Sequence, residues 1–316
     1  MTFDAWLRGF PWLFQRDLPC VISADLDGIA CGLLQQETLG WRVIGTYDGS
    51  AFCLWEQPNS VVWDDVVFLD VEILRPRARS LGNHLFVLDE DDVARLRRET
   101  AQCANPNLWR GINVRDSFQR KYPFSTLPLL LAARVLDDSD FQVTRAWIAL
   151  SLHTDSSFTN AATYQANALD WLRVMGEDVP DSLKRFCRVL ERLPAQTAIL
   201  MLHQVQEWAA AASFGAKQRA CRFDPRNDTR RERAKHLMDR LRSETSCQTL
   251  LPLDRAPVYS ETFTTELLPL HTKGRQVTSF VRARSVRAVS MAATGRSEEG
   301  LSITLPNQNS ATDLFR

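Results

Sequence analysis

The 316-residue chain contains no CxxC pair. Its seven cysteines (Cys20, Cys31, Cys53, Cys103, Cys187, Cys221 and Cys247) are scattered and odd in number. That excludes a zinc knuckle and a disulfide framework, and free thiols in a chain of this size point to a reducing, cytoplasmic setting. No uncharged apolar run is long enough to cross a bilayer; the stretch Thr126–Ala133 is followed at once by Arg134. The opening MTFDAWLRGFPWLF has an early acid and a proline, and it lacks the apolar core of a signal peptide. Net charge is absent too: 38 basic and 38 acidic side chains cancel, so overall charge names no partner. There is no internal repeat, and 45% apolar, 24% charged and 9% aromatic residues exclude a disordered or fibrous chain. The expectation is a soluble protein without a membrane segment, large enough for one big domain or two smaller cores.

The charge that is present is unevenly spread. Residues 1–100 carry 9 basic against 16 acidic side chains, a net of −7, whereas residues 201–316 carry 18 against 12, a net of +6. Such asymmetry signals two tasks. Short apolar runs alternate with helical patterns through the acidic third. Cys20–Ala24 predicts a strand, Gly28–Leu39 a helix, and Trp41–Tyr47 a strand closed by Asp48-Gly49. Val66–Leu69 predicts a third strand, Ile73–Leu81 a short helix, Leu85–Leu88 a fourth strand and Asp92–Gln102 a charged helix. Alternation of this kind argues for an α/β fold with a largely parallel sheet covered on both faces. The middle is helical, with helices expected over Pro123–Leu136, Arg145–Leu152, Ala161–Val174, Asp181–Leu193, Ala195–Ala212 and Thr229–Arg242. From about Leu250 the pattern turns strand-like, over Glu261–Leu268, Gln276–Val289 and Leu301–Leu305. Three parts are therefore expected: 1–176, a helical connector at 177–249 and a small C-terminal α/β or β portion at 250–316.

Three of the apolar strands end in aspartate: ISAD at Asp25, VVFLD at Asp70 and LFVLD at Asp89. Ligands of open α/β sheets bind beyond the carboxyl ends of the strands, so these carboxylates are expected to gather along one edge. A lone aspartate after a strand is a turn residue or a helix cap; three of them, with Asp27 beside the first, suggest a shared site. In Asp25-Leu26-Asp27-Gly28, two carboxylates precede a glycine-led helix and can both face one hard cation.

The segment DLDGIAC resembles the first motif of the DHH phosphoesterase superfamily, with Cys31 where members often have serine. VVFLD, with Asp70, is similar to the second motif. LSLHTDSSF resembles the fourth, with Asp155 as its aspartate and Phe158 as its aromatic. Tyr122-Pro-Phe-Ser-Thr-Leu resembles the family's helix start at Ser125-Thr126, and Met175-Gly176 its later helix end. The resemblance spans residues 20 to 176. Two elements differ. Ser23 or Ala24 stands where members carry a histidine before the first motif. The triplet that names the family falls by spacing on Asp89-Glu90-Asp91, with both histidines absent, while His84, in Leu81-Gly82-Asn83-His84 at the opposite end of the expected strand Leu85–Leu88, is a second candidate for its remnant.

The resemblance implies metal-assisted phosphodiester hydrolysis. Asp25, Asp27, Asp70 and Asp155 are expected at the catalytic centre, with Asp89 and His84 as further metal ligands. An oxygen-rich donor set suits Mn²⁺ or Mg²⁺. The expected substrate is nucleic acid or a short oligonucleotide. A DHH-like subunit that binds nucleic acid, a nucleotide or a protein without turnover is the alternative. A haloacid-dehalogenase-like phosphatase also begins with DxDG, but it needs a lysine downstream, and this chain has none before Lys121 and carries Ile29 where threonine is usual. Two basic clusters, Lys217–Arg242 and Lys273–Arg296, offer surfaces for a phosphate backbone or an acidic protein partner. Within the second, Arg282, Arg284 and Arg287 are the expected substrate-binding residues.

Overall fold

The computed structural model describes residues 1–138, 140–177, 181–212, 223–268, 290–294, 300–305 and 310. The chain opens with helix α1 (Phe3–Arg8). Strand β1 (Pro19–Ser23) then leads into helix α2 (Leu26–Leu39) and strand β2 (Arg42–Tyr47). Asp25 caps α2 by accepting from Gly28 N at 3.2 Å, and Gly40 ends it in the left-handed conformation at φ 71°. The Asp48-Gly49 turn forms as expected. Asp48 Oδ1 accepts from Ser50 N and Ala51 N, Gly49 takes φ 86°, and strand β3 (Ala51–Leu54) returns antiparallel to β2.

Strand β4 (Val67–Leu69) follows, then β5 (Arg79–Leu81), helix α3 (Glu90–Glu99), strand β6 (Cys103–Ala104) and helix α4 (Pro106–Arg110). Two expectations fail here. Ile73–Leu81 is not a helix; its last three residues are β5. Leu85–Leu88 is not a strand but a buried extended loop, tied by Val114 N to Val87 O and Arg115 N to Leu88 O.

Seven helices follow: α5 (Thr126–Asp137), α6 (Arg145–His153), α7 (Ser157–Thr163), α8 (Gln165–Gly176), α9 (Asp181–Arg192), α10 (Ala195–Ala211) and α11 (Asp228–Thr245). The helix expected over Ala161–Val174 is two helices, broken at Tyr164. Helix α5 packs on α2, and its leucines join the large core with Trp41, Trp171 and Trp208. Strand β7 (Tyr259–Thr262) pairs antiparallel with β3. The C-terminal portion thus begins by completing the N-terminal sheet. Strands β8 (Thr265–Leu268), β9 (Ser290–Thr294) and β10 (Gly300–Thr304) form a separate three-stranded antiparallel sheet, in the order β8-β10-β9.

The large sheet runs β6-β5-β4-β1-β2-β3-β7, and its first five strands are parallel. This is the α/β architecture expected. Its register sets the site. Ile22 of β1 pairs with Leu69 of β4, Leu69 with Leu81 of β5, and Leu81 with Ala104 of β6. The next residues along the four chains are Ser23, Asp70, Gly82 and Asn105. Three of these four neighbouring strands therefore hand over from an apolar row to a polar side chain, and the fourth to a glycine, at one level of one edge.

Candidate metal centre

Asp70 leaves β4 with φ 60°, in the left-handed region that aspartate tolerates better than most residues. The turn aims its carboxylate back across the sheet edge. Its Oδ1 accepts from Thr126 Oγ1 at 2.7 Å and its Oδ2 lies 2.6 Å from Ser23 Oγ. Ser23 Oγ is also 2.7 Å from Asp25 Oδ1. One hydroxyl carries one proton, so it satisfies only one of these two carboxylates.

Asp155 enters from the far side of the helical region. It and Ser156 both adopt left-handed backbone, at φ 50° and 59°. Their loop is clasped to the start of α5. Ser157 Oγ accepts from Ser125 N at 2.8 Å and donates to Thr154 O, while Thr154 Oγ1 lies 2.7 Å from Ser125 Oγ. Asp155 Oδ2 then accepts from Asn83 Nδ2 at 2.9 Å. Non-glycine residues held in this region cost free energy and recur where function requires a fixed geometry.

His84 lies three residues beyond β5, at the same carboxyl edge as Asp70. The sequence had suggested that it sits at the start of a strand; with β5 at Arg79–Leu81 it follows one instead. A residue absent from the expectations holds it. Glu72, 2% exposed, accepts from His84 N at 2.8 Å through Oε1, and its Oε2 lies 3.0 Å from His84 Nδ1. Asn105 Nδ2 donates to the same Oε1 at 2.9 Å and to His84 O at 2.8 Å. An Nδ1–H directed at Glu72 leaves Nε2 as the nitrogen a metal takes once it displaces the Nε2 proton, the arrangement common to histidines that bind metals. A weak signal for Glu72 was present: Asp70-Val71-Glu72 repeats the two-residue carboxylate spacing of Asp25-Leu26-Asp27.

Ligand atoms of Asp70, His84 and Asp155 all lie within 4.8 Å of one another. They grade from buried Asp70 through half-buried His84 to exposed Asp155, so the cluster opens to solvent on one side. Asp27 adjoins it in the first turn of α2, 2% exposed, and Asp25 lies at the head of the same helix. Burial, with Asp155 and Asp25 nearby, raises Asp27 to about 7. Burial and the same neighbours, with Asp27, push Asp70 well above the carboxylate range. At His84 burial works downward, but Glu72 beside it lifts the imidazole to about 9. Carboxylates forced together at such cost, beside an oriented imidazole, fit a hard divalent cation.

Asp89 does not join this cluster. It caps α3 through Asp92 N and faces Arg115 at 3.7 Å. Phe158 packs against the large core. Cys31 is buried, and burial raises its thiol pKa far above the ordinary range, which suits a core residue rather than a nucleophile. Arg282, Arg284 and Arg287 lie outside the described residues. In the first basic cluster Arg226, Arg231 and Arg240 pair with Asp224, Asp228 and Glu244. The six described cysteines are free and buried, and no helix among the described residues is long and apolar enough to cross a membrane.

Comparison of the chain with protein-family models, with curated proteins and with solved structures finds no match.

Proposed function

We propose that this protein is a divalent-cation-dependent phosphodiesterase or nuclease of the DHH phosphoesterase kind, acting on nucleic acid or short oligonucleotides. The observation that carries the reading is the convergence of Asp70 and His84, from the ends of two successive strands, with Asp155, from a distant stretch of chain, at the carboxyl edge of a parallel sheet. Asp70 and Asp155 supply carboxylate oxygens, and His84 supplies Nε2 while Glu72 holds its other nitrogen. These three side chains would hold Mn²⁺ or Mg²⁺, which would supply a coordinated water of lowered pKa and positive charge for the phosphoryl oxygens. The buried side of the cluster, closed by Ser23 and Thr126, excludes solvent, and the exposed Asp155 side admits a substrate phosphate.

A specific observation favours a second reading, binding without turnover: Asp25 meets the hydroxyl of Ser23, and neither Ser23 nor Ala24, the two places where the resembling family has a histidine, supplies an imidazole. One experiment separates the two. Labelled single-stranded DNA, single-stranded RNA and dinucleotides are incubated with the protein and Mn²⁺, with Asp70→Ala as control. Cleavage lost in the variant supports the hydrolase; cation and oligonucleotide binding with no cleavage of any substrate supports the second reading.

A further inference from the structure

The two carboxylates of the Asp25-Leu26-Asp27 motif are engaged differently from the side chains of Asp70, His84 and Asp155. Asp27 Oδ2 accepts from Thr126 N at 2.8 Å, and Asp27 Oδ1 accepts from Leu127 N at 3.2 Å. These are the first two residues of α5, whose own N-cap residue, Ser125, makes no side-chain capping bond. Asp27 therefore caps a helix about a hundred residues away, and its charge sits at the positive end of that helix. Helix α5 must dock there, because Thr126 bonds Asp70 and Ser125 meets the loop that carries Asp155. Asp25 Oδ1 caps its own helix through Gly28 N. A hydroxyl facing a carboxylate can turn away when a cation arrives, whereas the amides of a helix end are fixed in direction. Fixed amides thus hold both Asp27 oxygens toward α5, with its carboxylate in hydrogen-bond contact with Asp70, whereas the other partners of the Asp70 oxygens, Ser23 and Thr126, are hydroxyls free to turn.

We infer that the centre takes one divalent cation, on Asp70, His84 and Asp155, and that Asp27 is a positioning residue that docks helix α5 rather than a ligand. This rests on the cation-binding reading above and adds a stoichiometry and a role that the reading does not require.

The test is the Mn²⁺ stoichiometry of the full chain by electron paramagnetic resonance and elemental analysis after removal of free metal, with the variants Asp27→Asn, Asp70→Asn and His84→Gln. One Mn²⁺ per chain with an uncoupled spectrum is expected. Asp70→Asn and His84→Gln weaken Mn²⁺ binding by more than about tenfold. Asp27→Asn keeps the single Mn²⁺ with affinity within about threefold, and lowers Tm by roughly 2–6 °C, the loss of a helix cap. Two Mn²⁺ per chain, or spin-coupled ions, overturns the inference while leaving the cation centre standing. Loss of Mn²⁺ binding in Asp27→Asn with Tm unchanged overturns it as well. Absence of Mn²⁺ from the wild-type chain defeats the underlying reading itself. Should Asp27→Asn fail to fold, the wild-type stoichiometry still decides between one ion and two.

Discussion

Gly82 is the position where the second layer of the site is most exposed to a single methyl group. It is not in the left-handed region, so alanine is acceptable to its backbone. A Cβ there falls 2.2 Å from Glu72 Oε1, 2.6 Å from Glu72 Cδ and 3.1 Å from Oε2. Glu72 is 2% exposed and has three hydrogen-bond contacts, to His84 N, His84 Nδ1 and Asn105 Nδ2, so it has little room to retreat. Gly82→Ala therefore either strains the loop or displaces the carboxylate. Overpacking costs about 1–3 kcal/mol, and each hydrogen bond to a charged group lost adds about 1.5–3 kcal/mol. With partial relaxation the expected loss is about 2–4 kcal/mol, a fall in Tm of roughly 5–15 °C. The imidazole loses its orientation at the same time, so Mn²⁺ affinity falls by about 10–100-fold. Thermal unfolding and calorimetric Mn²⁺ titration read the two effects. A double-mutant cycle sharpens the test. In the Glu72→Ala background the clash is gone, and Gly82→Ala is then expected to cost under about 0.5 kcal/mol. Wild-type stability and Mn²⁺ affinity in Gly82→Ala, or equal costs in both backgrounds, refute the assignment of Glu72 as the residue that holds His84.

Other consequences are as direct. Gly28→Ala places a Cβ 2.3–2.6 Å from Ser23 Oγ, O and N, so it is expected to destabilise by more than about 3 kcal/mol; Gly32→Ala meets side-chain methyls of Ile22, Val43 and Leu251 at 3.0, 3.1 and 3.5 Å and costs less, which denaturant melts of the two variants check. The chelator-treated protein should lose stability between pH 7 and pH 9. His84 is raised on folding to about 9 and Asp70 is also raised, so the native state holds more protons than the unfolded chain and stability falls as pH rises. The buried His153, lowered to about 4, works oppositely, but its contribution is complete below this window. Thermal melts from pH 7 to pH 9 read the slope. From pH 7 to pH 8 it should flatten in His84→Gln and with saturating Mn²⁺; above pH 8 the buried thiols, also raised on folding, add a fall of their own, and a level profile in the metal-free wild type contradicts the assignment.

The fold was legible where hydrophobic pattern and turn chemistry agree. The buried run Cys20–Ala24, the capped helix behind it and the Asp48-Gly49 turn all appear within a residue or two of their expected places. The two failures around the sheet share one cause. Arg79-Ser80-Leu81 is polar in sequence and became a strand because its neighbours β4 and β6 supply the ladder, with Ser80 fully buried. Leu85-Phe86-Val87-Leu88 is apolar in sequence and forms a buried loop, its last three residues packing with Leu74, Leu96 and Leu108 and Leu85 joining the large core. Burial selects for apolar side chains whatever the backbone is doing, so an apolar run alone does not identify a strand. That pair of errors hid the position of His84. It also lent weight to Asp89, whose aspartate caps a helix instead. Asp70 and Asp155 could be found from their motifs because a strand end and a helix-flanking turn fix where their side chains emerge. Glu72 and Asn105 act through a histidine and through each other across 33 residues, a relation that exists only after the sheet has assembled.

The most direct test of the cation centre is its occupant and ligands in a Mn²⁺-soaked crystal of the full chain, located by anomalous scattering at the manganese edge. The account predicts a single strong peak bound by Asp70, His84 Nε2 and Asp155, with Asp27 still bonded to Thr126 N and Leu127 N. No peak among these three side chains, or an ion held by Asp25 and Asp27 with His84 turned away, contradicts it.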